Sequence, residues 1–231
     1  MENRKYILTD ETRKVEDRIL HRIKAVKNFN GVHEGDLGGW VESEDNLSQF
    51  GNCWIYDNAM VLDEAKVFDD ATIRDKAAIY GWAIVCGKAM VSGHANVCDH
   101  AIITNEAIVS DRAMVRDRAK VSENAFIHEM AWISNNAWVY GDADVCHNAT
   151  ISGYARVKSK DDYAVYENHW SRGVSGCYFT WTRCNNMWKV GDFFGTGEEL
   201  IKKAYEDNET WGKCYEAIVK AQEIISKNLN L

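Results

Sequence analysis

Proline is absent from all 231 residues. Proline fixes φ and donates no backbone hydrogen bond, so its absence suits a chain whose strand N–H groups are nearly all engaged in a ladder. Apolar runs of membrane-spanning length are missing, as is a secretory leader, and both lead to the expectation of a cytoplasmic protein without membrane contact. The seven cysteines contain no C-x-x-C pair, which fits reduced thiols better than a disulfide framework or a paired-thiol metal knuckle. The glycine-containing stretch Gly191-Asp192-Phe193-Phe194-Gly195-Thr196-Gly197 lacks a Walker lysine and reads as a turn before a helix. Positive charge is in deficit, 27 Lys and Arg against 35 Asp and Glu, a net charge of −8 that argues against a nucleic-acid partner.

What the chain has instead is a repeat of six. An alanine recurs from Ala59 to Ala155, and two positions after each stands a valine or isoleucine: Ala59/Val61, Ala65/Val67, Ala71/Ile73 and so on to Ala155/Val157. Cys53/Ile55 extends the series upstream, and Leu47 marks a degenerate turn before it. A helix would space apolar residues by 3.6 and a long strand would alternate throughout. Here alternation lasts for three residues and then turn formers intervene, as in Asp57-Asn58, Asp69-Asp70, Gly87-Lys88 and Asn135-Asn136. Each hexad is therefore a short strand plus a bend, and such strands bury their inner side chains only by stacking turn upon turn.

The pattern from Cys53 to Val157 resembles the hexapeptide-repeat family of left-handed parallel β-helices. The resemblance implies the left hand and three hexads per triangular turn. About six coils would result, on the order of 29 Å tall at one strand spacing per coil. The expected fold is mainly β, with an N-terminal β-hairpin cap over residues 1–37, a β-helix over 38–159 and a C-terminal α+β module over 160–231. The cap is a physical need, because an open coil end exposes unpaired backbone and apolar interior. In it, Tyr6–Thr9 and Ile19–Val26 read as two strands around a charged turn, Asp10 to Asp17. In the C-terminal module, Tyr163–Tyr166, Gly176–Thr182 and Met187–Val190 read as strands, followed by helices over Glu198–Tyr205 and Trp211–Lys227. The second helix carries Trp211, Tyr215, Ile218, Ala221 and Ile225 as an apolar stripe.

The ends narrow the resemblance. Lys5-Tyr6, His21-Arg22-Ile23-Lys24-Ala25, Gly35-Asp36-Leu37-Gly38-Gly39-Trp40-Val41-Glu42 and Asn46-Leu47-Ser48-Gln49 are similar to a group of phage- and prophage-encoded hexapeptide-repeat proteins of largely unassigned activity. That group brings no catalytic motif with it.

Repeat proteins of this wider family are often acyltransferases, with a base histidine and a protruding loop at a subunit interface. This chain has no loop between hexads. His94, His100 and His147 fall at corners and His128 points outward from a strand, so no catalytic residue is assigned. Cys86, Cys98 and Cys146 project from three different faces, and no metal set or cofactor is expected. Cys177 and Cys184 could approach across a hairpin, a weak basis for a metal.

Binding is the better-supported expectation. Outward residues separated by three hexads stack into columns. One column reads Trp54, Thr72, Met90, Ile108, Phe126, Asp144, with Tyr56, Arg74, Ser92, Ser110, His128, Cys146 beside it. A second reads Met60, Ala78, Asn96, Met114, Trp132, Thr150, and a third Lys66, Ile84, Ile102, Lys120, Trp138, Arg156, with Phe68 and Tyr140 alongside. Apolar columns facing water mark partners. Candidate binding residues are Trp54, Tyr56, Met90, Ile108, Phe126, His128, Trp132, Trp138 and Tyr140. The expected function is a non-catalytic homo-oligomer, a dimer or trimer. In the phage context it would inhibit or sequester a host defence protein or small nucleotide signal in the host cytoplasm. A transferase with an intersubunit site, or a structural scaffold or virion part, is the alternative.

Overall fold

The computed structural model describes residues 4–168 and 177–228. Strands β1 (Tyr6–Val15), β2 (Arg18–Ala25) and β3 (Leu37–Val41) precede eighteen two-residue strands. These run from β4 (Trp54–Ile55) to β21 (Arg156–Val157), one every six residues. Successive strands on one face pair in parallel at an offset of 18 residues, as Met90↔Ile108 and Ile108↔Phe126 do. The result is a parallel β-solenoid with three flat faces. Face I carries the Met60-to-Thr150 column, face II the Trp54-to-Asp144 column and face III the Lys66-to-Arg156 column. The outward registers are those the hexad arithmetic gives.

The interior holds the repeat. The alanines from Ala59 to Ala155 and the valines and isoleucines two places on are essentially without exposure, forming one continuous core with Cys53 and Ile55. Backbone ladders run along the axis: Met90 N–H donates to Ala107 O at 3.0 Å and Ser92 N–H to Val109 O at 2.9 Å.

Corners explain both the missing proline and the excess acid. Every sixth residue from Gly51 to Gly153 has positive φ, whether it is Gly, Asp, Asn, Glu or His. Asp and Asn tolerate this left-handed region best after glycine. Where the corner is acidic, its carboxylate accepts the backbone N–H of the corner one turn later. Asp63 takes Gly81 N–H at 2.9 Å, Asp75 takes Gly93 N–H at 2.9 Å, and Glu129 takes His147 N–H at 2.8 Å. Much of the negative charge is thus tied into the scaffold. Asp75→Ala removes the acceptor and places a Cβ-bearing residue without a local hydrogen bond at a φ of 61°. It is expected to cost about 1–2 kcal/mol in urea unfolding, while Asp75→Asn keeps most of the stability.

The solenoid has about seven turns rather than six. Trp40–Val41 pairs in parallel with Met60–Val61, and Leu47 bridges Val67, so a first turn exists at an offset of 20. A 3-10 turn at Glu44–Asn46 accommodates the two extra residues. The buried Asn46 side chain fastens it. Asn46 Oδ1 accepts Ser43 N–H at 2.9 Å, and its Nδ2 donates to Asp63 O at 2.8 Å and Ala65 O at 3.0 Å.

The hairpin also differs from expectation. β1 continues through the charged segment to Val15 with an irregularity between Leu8 and Thr12, and the tight turn sits at Glu16. Charged side chains are the usual composition of an edge strand, which β1 is. β2 pairs with β3, so the hairpin extends face I as well as covering the first turn. Tyr6, Ile23, Ala25 and Val32 join the solenoid core. Lys5 is buried with them, donating to Cys53 O at 2.9 Å and Cys53 Sγ at 3.1 Å; burial lowers its pKa and raises that of the thiol.

At the other end, β22 (Tyr163–Asn168), β23 (Cys177–Thr182), β24 (Met187–Val190) and β25 (Phe193–Gly195) form an antiparallel sheet. Helices α1 (Gly197–Asp207) and α2 (Glu209–Asn228) pack on it around Phe179, Trp188, Leu200 and Val219. The Gly191–Gly197 stretch, expected as a turn alone, contains β25. Gly176 and the side chain of Cys177 lie outside the described residues. This module closes the last turn: Thr150 N–H donates to Thr180 Oγ1 at 2.9 Å, a bond the next coil would otherwise supply. Thr196 starts α1 through a reciprocal capping box with Glu199, whose carboxyl is held below its usual range by those hydrogen bonds. Among the described residues, no helix is long and apolar enough to cross a membrane.

Candidate functional site

The nine candidate residues occupy different environments. Trp54 is 1% exposed, packed edge-on to Tyr6 at 6.3 Å and Phe29 at 5.4 Å, so the N-terminal segment covers it and it is not a surface residue. Tyr56 is half-buried against the same cluster, and burial raises its pKa. Met90 is half-buried and Ile108 exposed in the middle of face II.

The other five lie on one turn. Phe126 on face II, Trp132 on face I and Trp138 on face III sit in consecutive hexads, so one turn of the coil presents a large ring on each of its three sides. Each ring is paired with a cationic or imidazole group. His128 stacks on Phe126 with centroids 4.2 Å apart and planes 10° from parallel. Arg116 lies over Trp132, 5.3 Å from the ring centre, and 40% of Trp132 is exposed. Trp138 has Lys120 at 5.1 Å and Arg156 at 5.7 Å, its paired neighbours on the turns before and after. It stacks on Tyr140 at 4.4 Å, and its Nε1–H donates to Ser122 Oγ at 2.8 Å. Among the described residues, no carboxylate lies within ion-pair distance of Lys120 or Arg156. Face III therefore offers an aromatic patch with two uncompensated cations.

Face II adds a polar cluster that the sequence reading did not assemble. His128 Nε2 is 2.9 Å from Asp144 Oδ1, and its Nδ1 is 3.9 Å from Asp111 Oδ2. Donor atoms of His128, Asp144 and Cys146 all lie within 4.8 Å of one another. The physical reason is the coil period. His128 and Cys146 occupy the same position in adjacent turns, since their inward neighbours Ile127 and Val145 pair directly. Asp144 stands on the same side of that strand, two residues before Cys146. Burial pushes the Cys146 thiol up, with Asp144 and Glu129 adding to the effect and side-chain hydrogen bonding with Tyr163 opposing it. The Tyr163 hydroxyl donates to Asp144 O at 3.0 Å and is itself raised well above its ordinary value by burial. His94, His100 and His147 stand at corners as the repeat implies, and His147 Nδ1 lies 2.9 Å from Cys146 Sγ.

Sequence reasoning found the rings but not their partners. Lys120, Arg156 and Asp144 appeared only as members of columns. The signal that would have found them is addition of 18 to a residue number, or of 16 for a diagonal neighbour such as Asp144 beside His128.

No family model matches this chain. A stretch of 62 residues is 42% identical to a protein of Escherichia coli (strain K12) described as "Uncharacterized acetyltransferase YdcK", covering 23% of this chain and 19% of that protein. The chain therefore spans less than a fifth of the curated relative it matches.

Proposed function

We propose that this chain is a non-catalytic, oligomeric binding protein whose working surface is the aromatic turn from Phe126 to Tyr140. The reading is carried by one observation: Phe126, Trp132 and Trp138 occupy the three sides of a single turn, each beside an imidazole or a cation. Tryptophan and arginine are the residues on which binding energy concentrates. A rigid coil presents them with little ordering cost. Lys120 and Arg156 beside Trp138 favour an anionic partner. Two or three copies associating through one flat face would leave the others free. The likeness of the ends to phage and prophage repeat proteins gives the proposal its biological form. In that form the chain acts in the host cytoplasm, sequestering or inhibiting a defence macromolecule or a small nucleotide signal.

A second reading is acyl transfer. It is favoured by the partial likeness to a protein described as an acetyltransferase, and by the His128–Asp144 hydrogen bond, in which a carboxylate orients an imidazole as a general base. Against it, hexads unbroken from Cys53 to Val157 leave no loop to hold an acyl donor. Two measurements on the same preparation separate the readings. The binding protein retains a stoichiometric partner from host extract, retention falls in the Lys120→Glu, Arg156→Glu double variant, and acetyl-CoA loses its acyl group no faster than in buffer. The transferase releases CoA thiol catalytically, and His128→Ala slows that by about 10²–10⁴-fold.

A further inference from the structure

We propose that His128, Asp144 and Cys146 form a binding site for a zinc-type divalent metal ion on face II. The proposal is independent of which partner the aromatic turn takes. Imidazole nitrogen, carboxylate oxygen and thiolate sulfur together make a donor set suited to a borderline-soft ion and ill-suited to magnesium or calcium. A tetrahedral zinc with bonds of about 2.0–2.3 Å holds its donor atoms roughly 3.3–3.8 Å apart. The three donor atoms here already lie within 4.8 Å of one another, so side-chain rotation alone can close the set.

The scaffold preorganises these donors. All three come from two adjacent rungs of a parallel ladder, locked by His128 N–H to Val145 O at 3.0 Å and Phe126 N–H to Ala143 O at 2.8 Å. The Phe126 ring stacks on the imidazole and fixes its plane. The Tyr163 hydroxyl ties the Asp144 backbone to the C-terminal module. Around the donors, Asp111 Oδ2 stands 3.9 Å from His128 Nδ1. That distance is too long for a hydrogen bond, so binding of a metal at Nε2 would displace the proton that Nε2 now shares with Asp144 Oδ1 at 2.9 Å and move it to Nδ1, on the side of Asp111. Three protein donors leave a fourth position, which water would fill.

Metal binding would also commit His128 as a ligand, which distinguishes the site from the histidine base of the acyl-transfer reading. The ion would sit beside Phe126 at the edge of the aromatic turn and add positive charge there.

The test is titration of the reduced, metal-free full chain with Co²⁺ and then Zn²⁺. The expected result is one Co²⁺ per chain, with a thiolate-to-metal charge-transfer band and tetrahedral visible bands that Zn²⁺ abolishes. Cys146→Ser removes the charge-transfer band, and Asp144→Asn and His128→Ala each weaken Co²⁺ binding by about tenfold or more. Circular dichroism establishes that each variant is folded; should Cys146→Ser misfold, Asp144→Asn decides. Absence of the charge-transfer band in the wild type overturns the proposal. So does its persistence in Cys146→Ser, or affinity unchanged in Asp144→Asn.

Discussion

Trp54→Ala is expected to destabilise the protein by about 3–5 kcal/mol, the usual cost of truncating a buried aromatic to alanine, and to leave partner binding intact. Trp54 heads the face II column, but its ring is sealed by Tyr6 and Phe29 and flanked by the segment that closes the first turn. Removing it opens a cavity where the N-terminal hairpin docks. The neighbours cannot collapse freely, because the Tyr6 hydroxyl donates to Leu47 O at 2.6 Å and Lys5 N–H donates to Gln49 Oε1 at 2.8 Å. Urea unfolding followed by circular dichroism measures the loss. A change under about 1 kcal/mol would mean that the hairpin contributes little to the first turn, contrary to the burial described.

Trp138→Glu is expected to do the reverse: little change in stability and a loss of at least about 2 kcal/mol in binding, roughly thirtyfold in Kd. The ring lies outside the solenoid core, so its removal leaves Val121, Val139 and Val157 undisturbed. What is lost is the platform shared with Tyr140 and the cations of Lys120 and Arg156, while the new carboxylate draws those cations to itself. Isothermal titration against the retained partner reads the effect. Trp138→Phe, which keeps a ring but loses the bond to Ser122, is expected to fall between the two.

The fold was legible where the side-chain period is set by the backbone. Eighteen rungs follow from the seventeen alanine pairs and Cys53/Ile55, because each inward position takes a small or an aliphatic side chain and any slip would expose the core. Legibility ended where the chain leaves that period. The first turn is two residues wider, and what holds it is the hydrogen bonding of one buried asparagine, Asn46, which no hydrophobic pattern reveals. The segment Asp10 to Asp17 reads as a charged turn, yet Asp10 to Val15 belong to β1, because an edge strand and a turn share a charged composition. On α2, the stripe expected from Trp211 to Ile225 is rotated in the fold. Val219 and Gln222 are buried while Ile225 is 41% exposed. Gln222 is held there by the Tyr166 hydroxyl and Ser226, a polar burial that apolar periodicity passes over.

The candidate site divides the same way. Column membership can be counted along the chain, so the sequence alone assigns Phe126, Trp132 and Trp138 to their faces. Trp54 is assigned to its face too, but the segment that covers it comes from residues outside the repeat. The His128 cluster was legible in principle, since 128 and 146 differ by one coil period. A spacing search among residues of one type passes over it, because a coil juxtaposes unlike residues.

The most direct test of the aromatic turn as the working surface is site-specific photocrosslinking. A photoreactive phenylalanine analogue is placed in turn at position 126, 132, 138, 54 or 178, and each chain is mixed with host extract and irradiated. The account predicts the same crosslinked partner from positions 126, 132 or 138 and none from buried position 54 or from position 178 in the C-terminal module. A partner captured from position 178 alone, or no partner from any position of the turn, would contradict it.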